Sequence, residues 1–226
     1  MKNYLLLISA FFIIGIAQAQ YINEWLEPVA ITDSISINSN PAILIFYNEG
    51  NNDVFCFYEK RSSESSPSQI WYRNIYSMMD EQVFLSNDIF KFRNPKIFTY
   101  PTNYNSRYFL FYESNETGDF EIYGIEVFID GTFGPSFQMT DNDMDNSSFF
   151  VTHDGYYEMA ACWKSGNSIL FSNILFSGDT LLFEEIYTID TTNSYDQVCL
   201  LDYGHSFVSY RKIINDSSQI YFSEFD

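Results

Sequence analysis

Tyr108-Phe109-Leu110-Phe111-Tyr112 is apolar at every position, odd and even alike. A strand with one face in water alternates apolar and polar residues, so this run describes a strand buried on both faces. Ala160-Ala161-Cys162-Trp163 and Phe55-Cys56-Phe57-Tyr58 have the same character. Each run ends in an aromatic residue followed by a charged one: Tyr58-Glu59, Tyr112-Glu113, Trp163-Lys164 and, in a fourth copy, Tyr210-Arg211.

Other features recur around these runs in a constant order. An Asn followed by Pro or Ser precedes each at Asn40-Pro41, Asn94-Pro95, Asn146-Ser147 and Asn193-Ser194, intervals of 54, 52 and 47 residues. These asparagines read as turn residues opening a first strand, their side chains bonding nearby backbone. The both-faces-apolar strand comes second. A third strand opens at Gln69-Ile70-Trp71, Glu121-Ile122-Tyr123, Ser168-Ile169-Leu170 and Gln219-Ile220-Tyr221, and a fourth closes at Leu85, Met139 and Ile189. Units of about fifty residues carrying four antiparallel strands have the period of propeller blades. The expectation is an all-β fold: a β-propeller of four-stranded antiparallel blades, four blades by strand count. A two-layer sandwich would instead show alternation in most strands and no such period.

The fourth unit reaches Asp226 after its third strand. Trp25–Asp33 echoes Phe133–Asp141 in its aromatic, Pro, apolar and Thr-Asp positions. This N-terminal strand is therefore expected to complete the last blade and so cover two sheet edges. Upstream, Lys2, the apolar stretch Leu5–Ala17 and Ala17-Gln18-Ala19 have the form of a signal peptide over residues 1–19, too short to span a bilayer. Residues 20–226 form the propeller domain, exported to the periplasm, cell surface or medium.

The third unit, Asn146–Phe149 through His153-Asp154-Gly155 to Met159–Trp163, resembles the TolB-type propeller repeat, with His153 where that repeat has proline. Gly118-Asp119-Phe120-Glu121-Ile122-Tyr123 is similar to the same repeat's hairpin. The resemblance implies an exported bacterial scaffold for proteins or carbohydrates.

A formal charge of −19 repels nucleic acid and anionic membranes, which are not expected as partners. Membrane insertion is not expected either. Three cysteines, Cys56, Cys162 and Cys199, cannot make a complete disulfide set and read as buried thiols, with one bridge between Cys162 and Cys199 left open. Asp141, Asp143 and Asp145 alternate as carboxylates do at the opening of a calcium loop, without the glycine that such a loop needs. They are the candidate Ca²⁺ ligands, beside the plainer reading of an acidic turn; no other cofactor is indicated. His153 and His205 read as turn residues. Trp71 and Trp163 would suit sugar stacking if exposed.

Two functions remain. One is a non-catalytic scaffold binding an extracellular protein or glycan. The other is a glycan-active hydrolase with paired carboxylates, for which Glu49, Glu113 and Asp154 lie near strand ends. No serine-hydrolase elbow, phosphate loop or zinc motif is present, and the sialidase Ser-x-Asp-x-Gly-x-x-Trp box is missing.

Overall fold

A computed structural model describes residues 32, 35–48, 51–75, 81–100, 106–153, 159–177, 180–191, 195–202, 206–214 and 217–225. All lie in one compact unit, Thr32–Asp226. The expected signal peptide, the Trp25–Asp33 strand apart from Thr32, Glu49, Asp154, Asn193 and His205 lie outside the described residues.

Every regular element among the described residues is a strand, and none is a helix long and apolar enough to cross a membrane. The strands form four antiparallel sheets, each drawn from one contiguous stretch of chain. The first contains β1 (Ile37–Asn48), β2 (Asn51–Arg61), β3 (Gln69–Asn74) and β4 (Gln82–Leu85) in chain order. The second repeats this with β5 (Phe92–Tyr100), β6 (Arg107–Ser114), β7 (Glu121–Val127) and β8 (Phe137–Gln138). In the third, β9 (Asn146–His153), β10 (Met159–Ser165) and β11 (Ser168–Ser177) are followed by two strands that share β11 as partner. β12 (Thr180–Phe183) pairs with its C-terminal half and β13 (Tyr187–Thr191) with its N-terminal half. The hairpin to β12 is an addition that the repeat pattern did not announce. β14 (Tyr195–Asp202), β15 (Ser206–Ile214) and β16 (Ser217–Phe225) form the fourth sheet.

Three apolar cores separate successive sheets, and the middle sheets serve two cores each. On β6, Tyr108, Leu110 and Tyr112 enter the core shared with the first sheet. Phe109 and Phe111 enter the core shared with the third. β10 divides likewise: Met159, Ala161 and Trp163 face back toward the second sheet, while Ala160 and Cys162 face Val198, Leu200 and Val208 of the fourth. Side chains of a strand alternate between its faces, so a strand packed on both sides must be apolar throughout. The end sheets differ. Ile43 and Ile45 on β1, and Ile220 and Phe222 on β16, are exposed.

Of the recurring asparagines, Asn146 opens a strand as expected, but Asn40 and Asn94 do not. Asn40 and Asn94 sit inside β1 and β5 at bulges, where two residues face one on the neighbouring strand. Both have left-handed backbone, with φ of 52° and 53°. Asparagine tolerates that conformation, and the bulge accommodates the proline that follows, which has no N–H for the ladder. In the third sheet the equivalent residue is Ser148 (φ 56°), not Asn146. Asn146 lies at the start of β9, where its amide bonds the Met144 carbonyl and Glu121.

Candidate functional site: the cavity along the first strands

β1 packs against β5, β5 against β9, and β9 against β14. The bulges therefore come together on one side of the stack, and a cavity of about 490 Å³ opens there. Asn40, Asn94 and Ser148, the three left-handed residues, all line it. A bulge re-aims side chains and strengthens local twist, which is how these polar residues leave the ladders and point at one another. The Asn40 Nδ2 donates to Asn94 Oδ1 at 2.7 Å, joining the first sheet to the second, and also to Glu59 Oε2 at 2.9 Å.

The charged residue that follows the aromatic one in each second strand falls beside the bulge. Glu59 opposes Ser39, Glu113 opposes Arg93, Lys164 opposes Ser147 and Arg211 opposes Gln197. Equivalent places in four sheets thus carry two acids and then two bases. Glu113 is buried and fully occupied. Arg93 Nε donates to its Oε2 at 2.7 Å, and the Ser148 backbone N–H of the next sheet donates to its Oε1 at 2.9 Å. The Asn94 side chain bonds it as well. Burial raises the Glu113 pKa above the ordinary carboxylate range despite the Arg93 charge and these hydrogen bonds. The Arg93 guanidinium lies 3.4 Å from the centroid of the Phe120 ring, which fixes it from the other side.

Two cations also line the cavity, Lys96 of β5 and Arg211 of β15. Lys96 is exposed, and its ammonium has no ion-pair partner among the described residues. Phe150, Val198 and Ile220 contribute apolar wall, and the exposed Cys199 thiol opens onto the same space. Glu113 is the one carboxylate among the described lining residues. Acid–base hydrolysis needs two carboxylates flanking a bond; a lone carboxylate engaged by a guanidinium, an amide and a backbone N–H is built to hold sheets together. Lys96 and Arg211 thus place positive charge beside an apolar wall.

Of the residues singled out from sequence, Asn40, Asn94, Glu113, Cys199 and Arg211 line the cavity, and the candidate calcium ligands, His153 and the tryptophans lie elsewhere. Asp141, Asp143 and Asp145 are exposed in the turn before β9. Asp145 Oδ1 accepts from the Phe120 N–H at 2.9 Å and its carbonyl from the Gly166 N–H at 3.0 Å. Asn142 Oδ1 accepts from the Met144 N–H at 2.9 Å. Among the described residues no three His, Cys, Asp or Glu side chains are grouped as metal ligands. His153 meets the edge of Phe98. Trp163 is core, stacked on Phe183 at 4.4 Å, while Trp71 is half-buried under the Lys60 ammonium. All three cysteines are free thiols; Cys56 and Cys162 are buried, but Cys199 is not. Lys96 and Arg211 went unnoticed in the sequence as a pair. The available signal was the aromatic-then-charged dyad, whose sign changes between the second and third units.

No protein-family model matches this chain, and no curated protein matches it in sequence.

Proposed function

We propose that the chain is an exported, non-catalytic β-propeller that binds an extracellular macromolecule, a protein in the first place, at the cavity along its first strands. The four sheets are its blades. The reading rests on one observation above all: four consecutive sheets, each stacked on the next, turn their first strands toward a common cavity that holds, among the described residues, two cations and a single, fully engaged carboxylate. Concave sites framed by apolar wall with a few convergent polar groups are where ligands bind. The loose TolB-type resemblance of the third unit agrees with an exported scaffold, although fold alone never assigns an activity.

The test is a binding screen of the full chain on arrays of extracellular polypeptides and glycans, with Cys199→Trp as control. Cys199 is exposed and lines the cavity, so an indole there fills the space at little cost to the core. Binding that Cys199→Trp abolishes supports the proposal. Binding indifferent to that substitution, or the appearance of shortened glycan products, refutes it.

A further inference from the structure

Successive sheets meet through one recurring pair of positions. In every sheet the charged residue of the second strand stands opposite an isoleucine of the third: Glu59 opposite Ile70, Glu113 opposite Ile122, Lys164 opposite Ile169 and Arg211 opposite Ile220. Ile70, Ile122 and Ile169 are each 0% exposed, in the core shared with the following sheet. The first strand of that following sheet supplies an apolar residue to the same core. Ile97 packs on the core of Ile70, Val151 on that of Ile122, and Leu200 lies in that of Ile169. Accordingly β3 packs against β5, and β7 against β9. The fourth isoleucine is different: Ile220 is 82% exposed, and Phe222, on the same face of β16, is exposed as well. At the opposite end of the stack, Ile43 stands opposite Cys56 as Ile97 stands opposite Leu110, so it holds the equivalent first-strand position. Ile43 is 58% exposed, and Ile45 beside it on that face is also exposed.

The two open surfaces are therefore the two halves of the contact that the chain makes three times within itself. On the first sheet the second-strand residues of that face, Cys56 and Tyr58, are buried, and the open part is the first strand, which is the part a third strand meets in the internal contacts. The chain does not join its own two halves: Ile220 shares the cavity with Asn40 of β1, yet Ile43, Ile45, Ile220 and Phe222 all stay exposed. Apolar patches left open in this way mark interaction surfaces. A second copy of the chain carries both halves, already shaped to each other by the repeat. A contact between unlike faces closes into a ring when the rotation between copies permits, and each of two copies then buries both of its open faces. Two sets of four sheets make eight, the upper end of the usual range of propeller blades. The shared negative charge of the copies is screened beyond about 8 Å at physiological salt and so acts weakly across an apolar seam. We propose that two copies associate head to tail, β16 of each packing on β1 of the other, with Ile220 and Phe222 against Ile43 and Ile45.

The experiment is sedimentation equilibrium of the full chain over a dilution series, alongside Ile43→Asp, Ile220→Asp and an equimolar mixture of those two variants. Both isoleucines are exposed in the single chain, so either substitution leaves its cores intact, and an unchanged far-ultraviolet circular dichroism spectrum checks this. The parent is expected at twice the chain mass. Each variant alone places an unpaired carboxylate in both contacts of the dimer and should dissociate at least about a hundredfold more readily. The mixture should recover association, because a heterodimer of the two variants keeps one contact free of any substitution. A face that pairs with its own copy would show no such recovery. A monomeric parent, which is the result if the chain's own β1 closes on β16 in solution, overturns the inference. So does a dimer that survives either substitution, or a mixture no more associated than its components. Ligand binding at the cavity is a separate matter, read from the arrays and Cys199→Trp, and stands or falls without the dimer.

Discussion

Truncating one phenylalanine in a middle sheet and one in the last sheet should have very different costs. Phe109 on β6 is 0% exposed and lies in the core between the second and third sheets. Its ring centroid is 5.9 Å from that of Phe176 and 6.2 Å from that of Phe111. A phenylalanine buries about 150–250 Å², which at about 25 cal/mol per Å² makes a loss of roughly 4 kcal/mol for Phe109→Ala, inside the usual 3–5 kcal/mol range. Phe222 on β16 is 74% exposed. Only about a quarter of the same area is at stake, so Phe222→Ala should cost about 1 kcal/mol. The assay is urea denaturation of the dissociated chain at high dilution, followed by far-ultraviolet circular dichroism, comparing midpoints at equal slope. For a domain of this size the thermal midpoint of Phe109→Ala should fall by about 8–16 °C. If the two variants lose the same stability, the outer face of the last sheet is covered within the single chain, and the description of that face as open is wrong.

Two further outcomes follow from the bulges and their carboxylate. Burial holds the Glu113 pKa up in the folded chain, so the native state binds that proton more tightly than the unfolded one. Its contribution to stability is therefore complete below the ordinary value of 4.5 and is lost as pH rises through the raised native pKa. Glu113→Gln should flatten that decline in urea midpoints measured from pH 4 to 8; a profile parallel to the parent's would contradict it. Asn94→Ala forfeits both the side-chain bond to Asn40 and a residue that tolerates φ of 53°, for about 2 kcal/mol in all. Asn94→Gly forfeits only the first, so glycine should melt higher than alanine at this position, and the reverse order would refute the strain argument.

How far local sequence reaches can be judged at particular residues. Tyr108–Tyr112 announced a strand buried on both faces because burial acts on every side chain of the strand, and the two cores that share β6 bear this out. The unit boundaries were readable for the same reason: turns and both-face-apolar strands recur with the period of the sheets. The bulges were not readable as bulges. Asn40-Pro41 looks like a strand opening because proline breaks a ladder, and only the pairing on either side reveals that the strand continues through it. Ser148 lacks the asparagine that marked its equivalents, which displaced the apparent alignment of the third unit to Asn146. Cys199 sits in an apolar run, yet whether its face of β14 is covered depends on what the next sheet does, and that is not encoded beside it.

Period, the fully apolar middle strands and the strong negative charge were thus settled by the chain's own order of residues, since each is a local or summed property. That Lys96 and Arg211 line one cavity was settled by the tertiary structure alone, and so was the use of Glu113 as a clasp for Arg93 and the Ser148 N–H. Residues in different sheets become neighbours only when the sheets stack, and a side chain's charge gains a role only from what stacking sets opposite it.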